Sequence, residues 1–143
     1  MLRTVCFLAF AAALFFLGGD TNTQQSQAWE WCMNRGNRFS PDTQNSGCTT
    51  VIQSGSETGY NLSVAFNNRA NSYLDQEDYG RAISDYDQAI QIRPSATHFF
   101  NRGLAYCAKG NSDHAIADFN MAIKLDPKYA ERRFGICSPR AIV

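Results

Sequence analysis

The chain has 143 residues, 13 basic and 13 acidic side chains for a formal net charge of zero, and 44% hydrophobic residues. That length suits one small domain, and the zero balance excludes a global field that would draw nucleic acid or an anionic membrane. The charges are unevenly placed: Asp20 to Asp87 holds nine acids and four bases, and Gln88 onward holds eight bases and four acids. One end of the molecule is therefore expected to be acidic and the other basic.

Residues 1–19 read as a secretory signal peptide. Arg3 supplies the positive start, and Val5 to Leu17 is an unbroken apolar run of 13 residues closed by Gly18 and Gly19. The run is short for a bilayer span and sits at the N-terminus. Cleavage fits after Gly19, or as late as Ala28. An uncleaved anchor is the alternative, and no other membrane contact is expected. Export, to the periplasm or beyond, puts the remaining cysteines in an oxidising compartment.

Of the five cysteines, Cys6 leaves with the leader, so Cys32, Cys48, Cys107 and Cys137 remain. Four cysteines admit three full pairings. Cys32–Cys48 is favoured because it closes a short loop rich in Gly, Asn and Ser, worth ~3 kcal/mol by chain entropy. Cys107–Cys137 would follow by elimination, with less support. The chain has no C-x-x-C, so neither a redox-active pair nor a zinc site is indicated.

Residues 20–39 are polar and read as an irregular segment, with Trp29 and Trp31 either covering the first packed helix or forming an exposed contact point. Residues 40–60 hold a helix. Ser40 is a good N-cap, Pro41 fits the first turn and Asp42 favours the helix dipole. This helix carries Cys48, Val51 and Ile52 inward and stops near Gly55. Cys48 lies 34 residues before Ala82, at a position that wants a small side chain. The segment therefore reads as a degenerate half-repeat that lacks its first helix.

Four helices follow from about Ser63. The first reaches about Leu74, with Val64, Phe66, Ala70 and Tyr73 on one stripe of an amphipathic helix. Asp78 caps the second, which carries Ala82, Ile83, Tyr86, Ala89 and Ile90 inward and ends before Pro94. Ser95 caps the third, which reaches about Ala108 before the turn at Gly110. Asn111 or Ser112 starts the fourth, with Ala115, Ile116, Phe119, Ala122, Ile123 and Leu125 inward, and Pro127 closes it. A fifth short helix is expected from about Lys128 to Phe134. With the tail it makes a capping element over residues 129–143.

These helices repeat. Aligned without gaps, Phe66–Pro94 and Phe99–Pro127 share ten of 29 residues at an offset of 33. The shared frame is Phe-x2-Arg-(Ala/Gly)-x2-Tyr, then Ala-x3-aromatic, Ala and Pro. A fixed period of this length signals stacked supersecondary units. Ala70/Gly103 and Ala82/Ala115 are small where antiparallel helices cross, and proline ends the second helix of each unit.

At these residues the chain resembles the tetratricopeptide repeat family, with units at 63–95 and 96–128. Asn67-Asn68-Arg69-Ala70 and Asp118-Phe119-Asn120-Met121-Ala122-Ile123 resemble bacterial members, and the run Gly47-Cys48-Thr49-Thr50-Val51-Ile52-Gln53-Ser54-Gly55 before the first repeat resembles small exported ones. Arg69 and Arg102 depart from the family, which often has leucine there. The period is one residue short, and the third unit fails after Tyr129-Ala130. The resemblance implies an all-α fold, a short α-solenoid of antiparallel helix pairs with flanking partial helices.

It also implies a non-catalytic module that binds a protein or peptide in a concave groove. Carried over, that groove would show Val64, Asn67, Asn71, Leu74 and Asp75, then Thr97, Phe100, Asn101, Leu104, Cys107 and Ala108. Asn71 and Asn101 fall where some members hold a peptide carboxylate, but Asn67 replaces the lysine expected beside them. Alternatively, Phe100 and Leu104 pack against the tail or the fifth helix. A self-assembling unit that completes its stack by homo-oligomerisation is the other reading. His98 and His114, on different helices, are expected at the surface. Neither these residues nor Cys107 resembles an activated nucleophile, and no cofactor is expected.

Overall fold

The computed structural model describes residues 21–132. The leader, Cys6, and the tail with Cys137 lie outside the described residues. Six helices follow one another: α1 Thr21–Met33, α2 Pro41–Gln53, α3 Gly59–Asp75, α4 Tyr79–Ile92, α5 Ala96–Ala108 and α6 Ser112–Leu125. A 3₁₀ turn, Pro127–Ala130, comes last. There is no strand among the described residues.

The helices pack as three hairpins, α1 with α2, α3 with α4 and α5 with α6. Each hairpin's second helix meets the next hairpin's first, and α3 touches both α1 and α5. The result is a short α-solenoid with the first helices along one side. Its core falls into three clusters, one beside each hairpin: Ala28, Cys32, Cys48, Val51 and Ala65; Ala70, Ala82, Ile83, Tyr86 and Ala105; Phe100, Ala115, Phe119 and Ala122. Alanine recurs because closely crossing helices leave no room for more.

Local chemistry sets the helix ends. The side chains of Ser40, Asp78, Ser95 and Asn111 each accept a hydrogen bond from the backbone N–H three residues on, satisfying a donor left orphaned by the helix start. The α5–α6 turn passes through Gly110 at φ 84°, and the matching α3–α4 turn through Glu77 at φ 60°. A glycine is comfortable in that left-handed region and a glutamate is not.

Residues 20–39 depart from expectation. Most of the segment is α1, and it supplies the partner that α2 was expected to lack. Thr21–Gln27 has no apolar stripe to announce a helix, and only Ala28 and Cys32 of α1 are buried. Tertiary contacts hold it instead. Cys32 and Cys48 form a disulfide, Gln44 donates to the Cys32 carbonyl, and Trp29 Nε1 donates to Glu57 Oε1 at 2.9 Å. Gly47 is the crossing point: a Cβ there would lie 2.6 Å from Trp31 Cβ and 2.7 Å from the Ala28 carbonyl oxygen.

Three further expectations need correction. On α6, Ile116 and Leu125 are not inward; they are 43% and 48% exposed. The matching Ile83 is buried in the same cluster as Ala105 of α5, whereas no full helix among the described residues covers α6 in that way. On α3 the buried residues are Ser63, Ala65, Asn67, Ala70 and Ser72, and Val64, Phe66 and Tyr73 are only half-buried. The helix has neighbours on several sides, so small and polar residues take the tight positions. His98 is buried rather than superficial. Its Nδ1 lies 2.9 Å from the Arg93 carbonyl oxygen, and burial pushes its pKa down.

Candidate partner-binding site

The first helices α1, α3 and α5 carry the surface expected to bind a partner. Its middle is a row of amides. Asn101 Nδ2 donates to Asn67 Oδ1 at 3.1 Å and to Asn71 Oδ1 at 3.4 Å, bridging α5 to α3. Tyr86 donates its hydroxyl to the same Asn71 oxygen at 2.6 Å. Burial pushes the Tyr86 pKa up, with Asp75 and Asp85 adding to it, so the phenol stays a donor. Asn68, the counterpart of Asn101, reaches back the same way to Met33 Sδ on α1. The carboxamides thus lock successive first helices together. Asn67, 7% exposed and bonded through both its oxygen and its nitrogen, is mainly structural.

At the C-terminal end the expected surface is closed. Tyr129 of the 3₁₀ turn packs on Phe100 with ring centroids 5.1 Å apart, and Phe119 sits behind at 5.4 Å. The Tyr129 hydroxyl lies 2.8 Å from Thr97 Oγ1. Phe100 is 7% exposed, and Leu104 and Cys107 are half-buried against the same cluster. Cys107 is disulfide-bonded, and Cys137, its expected partner, lies outside the described residues. Leu74 packs against the middle cluster, while Asp75 and Ala108 are exposed.

At the N-terminal end the surface is open. A groove of about 610 Å³ is lined by Ser26, Trp29, Glu30 and Met33 of α1, Arg35, Arg38 and Phe39 of the α1–α2 turn, and Tyr60, Asn61 and Val64 of α3. Of the residues expected in the groove, Val64 lines it, and Asn67 lies one helical turn further along α3. The rest of its lining was not foreseen, because it needs α1 to exist as a helix.

A second feature was legible but unread. Arg69 Nε and Nη2 grip Asp85 Oδ2 and Oδ1 at 2.7 and 2.9 Å, and Arg102 grips Asp118 in the same way at 2.8 and 2.6 Å. Each arginine also reaches the preceding hairpin, Arg69 to Thr49 and Arg102 to Asp87. Each lies between two aromatic rings, Phe66 and Tyr73 or Phe99 and Tyr106. The hydrogen bonds to Asp85 and Asp118 are the largest influence raising the pKa of each arginine. All four positions of this set are identical in the two repeats, which is the signal that could have revealed it. The departure from leucine is thus a paired exchange that ties the hairpins together.

Among the described residues no cluster of His, Cys, Asp and Glu is suited to a metal ion, and no helix is long and apolar enough to cross a membrane. No curated protein matches the chain. Residues 67–130 match the family model of the tetratricopeptide repeat. The match falls on the two hairpins that stand in register at a 33-residue offset, so residues 67–130 carry tetratricopeptide repeats.

Proposed function

We propose that this protein is an exported, non-catalytic interaction module that holds a segment of a partner protein in the groove between α1 and α3. Tetratricopeptide repeats in general mediate protein–protein interaction. One observation carries the placement: the concave side is open over about 610 Å³ between α1 and α3, and Tyr129 fills the corresponding space at α5. Export rests on the apolar leader and agrees with the Cys32–Cys48 disulfide, since such bonds persist in oxidising compartments.

The test is site-specific photo-crosslinking from Asn61 in intact cells, repeated with Val64→Gln and with Ser26→Gln. Both substitutions fill the groove, and Ser26 is exposed, with its hydroxyl donating to the Thr23 carbonyl oxygen of its own helix. Loss of the crosslinked band in both, with unchanged thermal melts, supports the reading. A band that survives both refutes it.

Exposed Ile116, Met121 and Leu125 on α6 favour a second reading, in which copies associate through that end. Sedimentation at two salt concentrations checks it. A monomer at every concentration and salt level refutes association.

A further inference from the structure

We infer that the α1–α3 groove selects an acidic partner segment bearing a bulky apolar side chain; this rests on the groove reading above and specifies its ligand. The lining divides into two chemistries. Trp29, Met33, Phe39, Tyr60 and Val64 give an apolar, largely aromatic bed. Tyr60 is 62% exposed, the most exposed large hydrophobic residue described. An exposed ring beside a half-buried tryptophan suits an anchor side chain, since aromatic residues bury much area at little entropy cost.

Guanidinium groups surround this bed. Arg35 and Arg38 line the groove, and Arg93 stacks over Tyr60 at 4.8 Å from the ring centroid. The one carboxylate in the lining, Glu30, is engaged by Arg38 at 3.0 Å. Glu57, close by, already accepts from Trp29 Nε1 and Asn61 Nδ2 on separate oxygens. Among the described residues neither Arg35 nor Arg93 has a carboxylate partner.

The placement runs against the local composition. From Asp20 to Asp87 the chain holds nine acids and four bases, yet two of those four bases line this groove. A positive rim on an otherwise acidic end complements an acidic ligand and repels a basic one. The apolar bed distinguishes a peptide from a simple anion, which has nothing to place there. No free terminal carboxylate is required, because the rim cations are spread along the groove.

Three N-acetylated, C-amidated peptides test this on the full, oxidised chain: a leucine–phenylalanine pair among glutamates, the same pair among lysines, and two serines among glutamates. Affinity is read by anisotropy of the labelled peptide and by tryptophan fluorescence. The glutamate peptide with the apolar pair should bind about tenfold or more tightly than either of the others. Combined Arg35→Ala and Arg93→Ala should weaken it by about tenfold and flatten its salt dependence. Arg81→Ala, whose guanidinium pairs with Asp78 and does not line the groove, should change nothing. Equal or tighter binding of the lysine peptide overturns the charge assignment but leaves the groove reading standing. Equal binding of the serine peptide overturns the anchor. Indifference to the Arg35 and Arg93 changes, or no binding of any peptide, overturns the whole inference, and the crosslinking test above then decides the module reading separately.

Discussion

Replacing Arg69 by leucine, the residue the repeat family often carries there, should destabilise this protein severely. Asp85 is 6% exposed, and both of its carboxylate oxygens are held by Arg69. Leucine would leave that carboxylate buried with no cation. Removing one partner of a buried ion pair costs about 3–5 kcal/mol, whereas replacing both by apolar residues is often neutral or better. Thr49, the other residue that Arg69 bonds, keeps its hydrogen bond to Asn45, so it adds little. Arg69→Leu should therefore lose ~4 kcal/mol of a total expected at roughly 5–15 kcal/mol. The double variant Arg69→Leu/Asp85→Leu should recover to within about 1 kcal/mol of the parent. Urea unfolding followed by circular dichroism measures both. A single-variant loss below about 1 kcal/mol, or a double variant no better than the single, would refute the reasoning.

Gly47→Ala should cost ~2 kcal/mol in the same assay, because its Cβ would strike backbone atoms of α1 at 2.7 and 2.9 Å and overpacking outweighs the gain in helix propensity. Conversely, Glu77→Gly should stabilise by about 0.5–1 kcal/mol, relieving a left-handed glutamate at the position where the second unit has Gly110; a lower melting temperature would contradict this. Reducing the Cys32–Cys48 bond, 16 residues apart, should cost ~3 kcal/mol and expose the α1 tryptophans to quencher. His98 is buried neutral, with a pKa below the ordinary 6.5. The unfolded chain therefore takes up this proton first as the pH falls. The His98 contribution is complete above 6.5 and declines below it. His98→Gln should remove that part of the slope in midpoint against pH, and an unchanged slope would count against the burial argument.

How much could be read before folding depends on where the determining contacts lie. The caps at Ser40, Asp78, Ser95 and Asn111 act within one turn, and the 33-residue offset and the alanines at helix crossings show as residues that recur in both units, so all were legible. Arg69–Asp85 and Arg102–Asp118 were legible in principle, since the two repeats preserve them together. The amide row is different. Asn101 meets Asn67 and Asn71 only because α3 and α5 lie side by side, which no local pattern states.

The sequence by itself determined that this protein is a stack of short helical hairpins, because hydrophobic period, capping and crossing residues are local properties. Tertiary structure alone decided that Thr21–Met33 is a helix, since its polar sequence is held by a disulfide and by contacts to α2 and to the segment before α3. It also decided that Tyr129 closes one end of the concave side while α1 builds an open groove at the other. Those outcomes depend on groups brought together from distant parts of the chain, and packing rather than periodicity makes them meet.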